Sequence, residues 1–373
     1  MVTNQIRFAF FRVNSRLNFS DQRLSAESAA KDFNLGPQTS SGVLRLRQAA
    51  HANLLRSLNP PGEATNLLKP IIVLVLLCST LAAQTVPHNT GIAHIEQVDL
   101  AYETFGVKGT ALPIIAVNGG PGLSHAYMMQ NDLWQRVGKN RFVVLYDQRG
   151  TGGSKHMQAG ISQSGVSQTM DSQVADLDAV RQTLGLEKFA LLGDSYGGLV
   201  AMAYAAAHPQ HVAKLILSDS PGPSWHDIVH LLPDVFPDIE EENKQEAQKL
   251  GAETEAAARA GLRNHFRMIF YSTQKRDAYM SHMGDLGFEP AVGEAVAKAT
   301  ENLDLSAKLA GFKFPTLVID GRYDMNVAPL TAWRLAHAIP GAKLVFFEQS
   351  GHLPSYEEPE KYIEVLEGFL NGK

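Results

Sequence analysis

From Gly91 onward, apolar positions fall into short runs separated by longer amphipathic stretches. Residues 92–95 and 100–105 alternate apolar with polar side chains, which predicts an antiparallel strand pair with one solvated face. Residues 112–117 and 141–146 are nearly continuous apolar runs, as in strands covered on both faces. A helix is predicted over 171–184, with Val174, Leu177, Val180 and Leu184 along one side. A strand at 189–192, a buried helix at 198–207 and a strand at 214–218 follow. The alternation stops near Pro221. As far as Phe314 the chain is rich in Ala, Glu and Lys and helix-like. Strand patterns return at 316–320 and 343–347, and an amphipathic helix over 358–370 closes the chain.

Strand and helix in steady alternation predict an α/β fold, with a mostly parallel central sheet and helices on both faces. The core is assigned to residues 91–220 and 315–373, and residues 221–314 are expected to form an inserted helical lid. No internal repeat is visible.

Residues 1–70 differ. They are rich in Asn, Ser, Arg and Gln without sustained periodicity, and are expected to be a disordered extension. Lys69 and Pro70 precede an apolar run from Ile71 that fades into small residues at Ala82 and Ala83. The run is too short to cross a bilayer, which takes about 20 apolar residues. A basic residue, a short apolar core and small residues after it fit a secretory signal peptide, with the protein secreted or periplasmic. The other reading is a buried strand in a cytoplasmic protein. A signal so far into the chain implies a translation start downstream of Met1. No methionine occurs between Met1 and Met128, so that start would use a non-standard codon. Leu77 before Cys78 disfavours a lipoprotein, because a lipidated cysteine normally follows a small residue.

A net charge of -5 over 373 residues offers no basic surface for nucleic acid. The single cysteine, Cys78, can build neither an internal disulfide nor a cysteine-based zinc site. No metal or organic cofactor is expected.

The chemistry is concentrated in a few short motifs. Gly193-Asp-Ser195-Tyr-Gly197 fits G-x-S-x-G between a predicted strand and a predicted helix, the context in which a sharp turn lifts a serine hydroxyl clear of the sheet. A serine needs a base. His352 follows the last predicted strand, and Asp324, in Gly321-Arg-Tyr-Asp324, follows the penultimate one. The order Ser, Asp, His is that of the nucleophile-elbow hydrolases. Asp320 is the rival acid, placed nearer the strand interior. An oxyanion hole needs two aligned N–H groups. Tyr196 offers one, and the loop Asn118-Gly-Gly-Pro-Gly122 another.

The loop Gly119-Gly-Pro-Gly122, the stretch Asp147-Gln-Arg-Gly-Thr-Gly-Gly-Ser154, the elbow, Gly321-Arg-Tyr-Asp324 and Gly351-His352 together resemble the proline iminopeptidases of the α/β-hydrolase fold. The resemblance covers residues 91–370 and is strongest outside the lid. It implies that Gly120 and Tyr196 supply the oxyanion donors and that Asp147 and Arg149 are structural. It also implies a short peptide, amide or arylamide substrate whose free amine is held by lid carboxylates. Glu289 and Glu294 lie in the matching part of the lid, and Glu240, Glu241 and Glu242 form a second acidic cluster. The family usually carries histidine where this chain has Asn118. A carboxylesterase or lactonase with the same triad, and a catalytically silent binding protein, are the alternatives.

Overall fold

The computed structural model describes residues 85–95, 98–155 and 167–372. The predicted extension and signal-peptide core lie outside them. Among the described residues no helix is long and apolar enough to cross a membrane.

Among the described residues eight strands form one sheet: β1 (His88–His94), β2 (Asp99–Phe105), β3 (Ile114–Val117), β4 (Val143–Tyr146), β5 (Phe189–Asp194), β6 (Val212–Ser218), β7 (Thr316–Gly321) and β8 (Lys343–Phe347). Their order is β1-β2-β4-β3-β5-β6-β7-β8. β1 and β2 are antiparallel to their neighbours, and every pairing from β4 to β8 is parallel. The predicted hairpin thus forms the edge and the apolar runs form the interior. Side chains alternate between faces along a strand. Ile115, Leu191 and Leu215 therefore enter one core, while Ile114, Leu192 and Ile216 enter the other.

Eight helices of ten or more residues are found among the described residues. Helices α1 (Met170–Thr183) and α2 (Tyr196–Ala207) pack on the first core. Between β6 and β7 the chain forms α3 (Pro237–Leu250), α4 (Glu255–Met268), α5 (Thr273–His282) and α6 (Pro290–Thr300). α7 (Pro329–Ala338) and α8 (Pro359–Leu370) complete the set. Helix α7 escaped the sequence reading because its apolar face is short and Pro329 sits at its start, where proline is favoured in a first turn. The insertion is joined to the sheet layer by apolar packing, since its Phe266, Met268, Ile269 and Tyr279 belong to the same core as Phe347, Leu366 and Phe369.

Candidate active site

Ser195 stands between β5 and α2 with φ 49 and ψ -125. That region is costly for a residue with a side chain and persists only where the surroundings enforce it. The enforcement is visible on both sides. The Ser195 N–H donates to the Ser218 carbonyl at 2.8 Å. A Cβ on Gly197 would lie 2.2 Å from the Val117 carbonyl oxygen, so only glycine lets α2 start so close to β3. A Cβ on Gly119 would sit 2.7 Å from the Ser195 Cβ, which places the glycine loop directly against the serine.

His352 arrives from the loop after β8. Its Nε2 lies 3.0 Å from Ser195 Oγ, and its Nδ1 lies 2.5 Å from Asp324 Oδ2. The other Asp324 oxygen accepts the backbone N–H groups of Asn326 at 2.7 Å and Val327 at 2.9 Å. Burial pushes the imidazole pKa down, but the charge and hydrogen bond of Asp324, with the charge of Asp194, lift it above its ordinary value overall. A raised basicity beside a serine hydroxyl is what a general base requires. The structure brings together the three residues expected from sequence, and the acid at the histidine is Asp324 rather than Asp320.

Gly119 N–H donates to the Tyr127 hydroxyl at 2.6 Å, and that hydroxyl donates to Asp194. Burial, opposed by this bond, holds the Asp194 pKa at about 6. Tyr127 therefore ties the glycine loop to the elbow, a role with no sequence signal beyond an aromatic among apolar residues. Gly119 N–H is thus engaged by Tyr127, and Gly120 follows it in the same loop, while Tyr196 opens α2 directly after Ser195. Asn118 does hold the loop, its Nδ2 donating to the carbonyls of Gly119 and Leu123 at 2.8 Å each.

Arg149 makes a two-pronged pair with Asp176, both bonds 2.6 Å, and neither residue reaches the serine, in keeping with a structural role. Asp147 binds His125, through the backbone N–H at 3.0 Å and Nδ1 at 2.6 Å, while His125 Nε2 lies 3.2 Å from Glu103. Burial pushes this imidazole down, yet the two carboxylates raise its pKa to about 9. Glu103 falls to about 2, through the His125 hydrogen bond first and against its own burial. The His125 contribution is complete below its unfolded pKa of 6.5 and fades as pH rises through about 9. That of Glu103 is complete above 4.5 and fades as pH falls through about 2. A His125→Gln variant is therefore expected to lose on the order of 2 kcal/mol of stability near pH 6. The gap to wild type should narrow by pH 10 in thermal melts.

The insertion clamps the histidine loop. His352 N–H donates to the Ile269 carbonyl at 2.8 Å. Buried Glu357 accepts N–H bonds from Gly351 at 2.6 Å and Ser272 at 2.8 Å, joining that loop to the segment before α5. Glu357 was missed because it reads as an ordinary glutamate between two prolines.

The expected substrate carboxylates are placed differently. Glu294 is exposed on α6. Glu289 lies close to the glycine loop, its N–H donating to the Gly122 carbonyl at 2.8 Å, but its carboxylate pairs with Lys155. Neither makes a contact with the triad. Glu240, on α3, is buried and its Oε1 has no hydrogen-bond partner. Two imidazoles of the insertion feel His352: burial holds His265 down at about 3, and burial likewise lowers His230.

Asp219, Asp324 and His352 are close enough to share a metal ion. Both oxygens of Asp324 and both ring nitrogens of His352 already have partners, however, so the donors present do not suit one.

Residues 113–359 match the family model described as the alpha/beta hydrolase fold. A proline iminopeptidase of Saccharolobus solfataricus is 28% identical over 78% of this chain and 95% of its own. Another, from Heyndrickxia coagulans, is 28% identical over 76% of this chain and 99% of its own. Among solved structures, the enol-lactonase of Burkholderia xenovorans has a TM-score of 0.58 at 22% identity, covering 75% of this chain and 100% of its own. A thermophilic esterase from Thermogutta terrifontis has 0.56 at 24%, covering 76% and 98%.

Proposed function

The chain belongs to the α/β-hydrolase fold family, and on that premise we propose that it is a serine hydrolase cleaving short peptides, amino-acid amides or arylamides with a free N-terminus. The observation that carries the hydrolase reading is the hydrogen-bonded line Ser195, His352, Asp324. His352 takes the Ser195 proton as Oγ attacks the carbonyl carbon, and Asp324 steadies the imidazolium that results. The Gly120 and Tyr196 N–H groups receive the developing oxyanion. His352 then gives its proton to the leaving amine, and activates a water that hydrolyses the acyl-enzyme.

The preference for a free amine rests on the proline iminopeptidase relatives. Of the carboxylates of the insertion, Glu289 and Glu294 are the ones we assign to the substrate ammonium, Glu289 lying against the glycine loop through its N–H bond to the Gly122 carbonyl. The second reading, a carboxylesterase or lactonase, is favoured by the Glu289–Lys155 pair, which leaves the carboxylate nearest the glycine loop already neutralised.

Aminoacyl arylamides with a free and with an acetylated amine separate the two. For the peptidase, kcat/KM is expected to fall about 100-fold on acetylation, since the carboxylate that holds the amine then loses its partner. Glu289→Gln or Glu294→Gln should remove most of that difference. Equal rates on both, with short esters faster than either, would establish the esterase reading.

A further inference from the structure

Three carboxyl groups, Asp219, Asp320 and Asp324, are fully buried at the ends of β6 and β7. Asp324 is well supplied with donors, as described above. Asp219 Oδ2 accepts the Ser218 hydroxyl at 2.7 Å, and its Oδ1 accepts the Gly321 N–H at 3.2 Å. Asp320 is different, because neither of its oxygens has a hydrogen-bond partner, the nearby Gly321 N–H being given to Asp219. The groups that face it are the carboxyls of Asp219 and Asp324 and the Gly321 N–H. An ionised carboxylate can only accept, so three ionised groups here would repel one another with only the Gly321 N–H between them. A dry site with no donor protonates the carboxylate instead. The backbone of Asp219 adds a second sign of constraint. It holds φ 49, unusual for a residue with a side chain.

We infer that Asp219 and Asp320 are neutral carboxylic acids at neutral pH, donating in line from Asp219 to Asp320 to Asp324, so that the cluster behind His352 carries one negative charge. Burial raises the pKa of both, and neighbouring carboxylates raise them further. The other titratable groups that the cluster faces are Asp194 on β5, His352, His230 of the insertion and Tyr362 of α8. Asp320 is then a positioning residue. Its O–H donates to Asp324 and draws charge from it. When Ser195 gives its proton to His352, the imidazolium faces that single carboxylate, and no proton moves onto Asp320. Only this catalytic consequence rests on the triad reading; the protonation state does not.

Infrared spectra of the full chain carrying Ser195→Ala test the protonation without turnover. A carbonyl band of neutral carboxylic acid is expected at pH 7–8, shifting in heavy water. Asp320→Asn and Asp219→Asn should each remove part of it. In the Ser195 background, Asp320→Ala is expected to lower kcat about 10- to 100-fold with little change in KM. With the donor gone Asp324 holds more charge and His352 becomes more basic, so the acid limb of kcat/KM should move to higher pH. Asp320→Asn keeps an N–H donor and should recover most of the lost kcat. The absence of a neutral-acid band at pH 7, or a band indifferent to both asparagine variants, would overturn the inference. So would a folded Asp320→Ala with an unmoved acid limb. If Asp320→Ala does not fold, the asparagine spectra decide. Failure of the triad reading looks different, since Ser195 would resist an organophosphate while the band persisted.

Discussion

Replacing Ser195 by Ala is expected to lower kcat by roughly 10⁵- to 10⁶-fold, the loss found when the nucleophile of a serine triad is removed. The serine is the atom source of the acyl-enzyme, so no neighbour can substitute for it. Gly119 and Gly197 leave no room for a larger side chain to approach from the loop. The fold should survive, because Ala keeps the Cβ and the backbone bond from residue 195 to the Ser218 carbonyl. Steady-state kinetics and a thermal melt check both halves. A variant with more than about a hundredth of wild-type kcat would remove Ser195 from the mechanism, since even lesser triad losses exceed that. Labelling by an organophosphate should likewise vanish in the variant.

Asp324→Asn is expected to cost about 10⁴ in kcat, as loss of the acid does in the best-studied triad. The reason is local. Asp324 has one oxygen on His352 Nδ1 and the other on two backbone N–H groups. An amide there cannot accept at both places, so either its NH₂ faces Nδ1 and imposes the wrong tautomer, or it clashes with the two N–H donors. The pH profile should lose its acid limb near neutrality, because the carboxylate that raises the His352 pKa is gone. The control is Asp320→Asn, which should cost far less than Asp324→Asn. If the two costs were reversed, Asp320 would be the catalytic acid after all.

The sequence by itself determined the strands of the sheet and named Ser195, Asp324 and His352, which the fold brings into hydrogen-bonding distance. Period-two alternation in 100–105 and the unbroken apolar runs of β3 and β5 reflect local exposure, which is written residue by residue. The elbow was legible because its steric demands act within five residues, from Gly193 to Gly197. Asp324 and His352 could be named because chain order and strand ends restrict where such residues sit in a doubly covered sheet. What only the tertiary structure decided are contacts between residues far apart in the chain. Tyr127 reaches Asp194 across 67 positions, and Glu357 grips Ser272 across 85. Nothing near either residue encodes the partner. The fate of Glu289 is of the same kind. Its position in the insertion fitted a substrate anchor, but folding brought Lys155 to it from the loop after β4. A charge is read from sequence as a charge, whereas whether it is spent on a neighbour, buried unpaired like one oxygen of Glu240, or facing other carboxyls like Asp320 depends on which segments the packed core brings beside it.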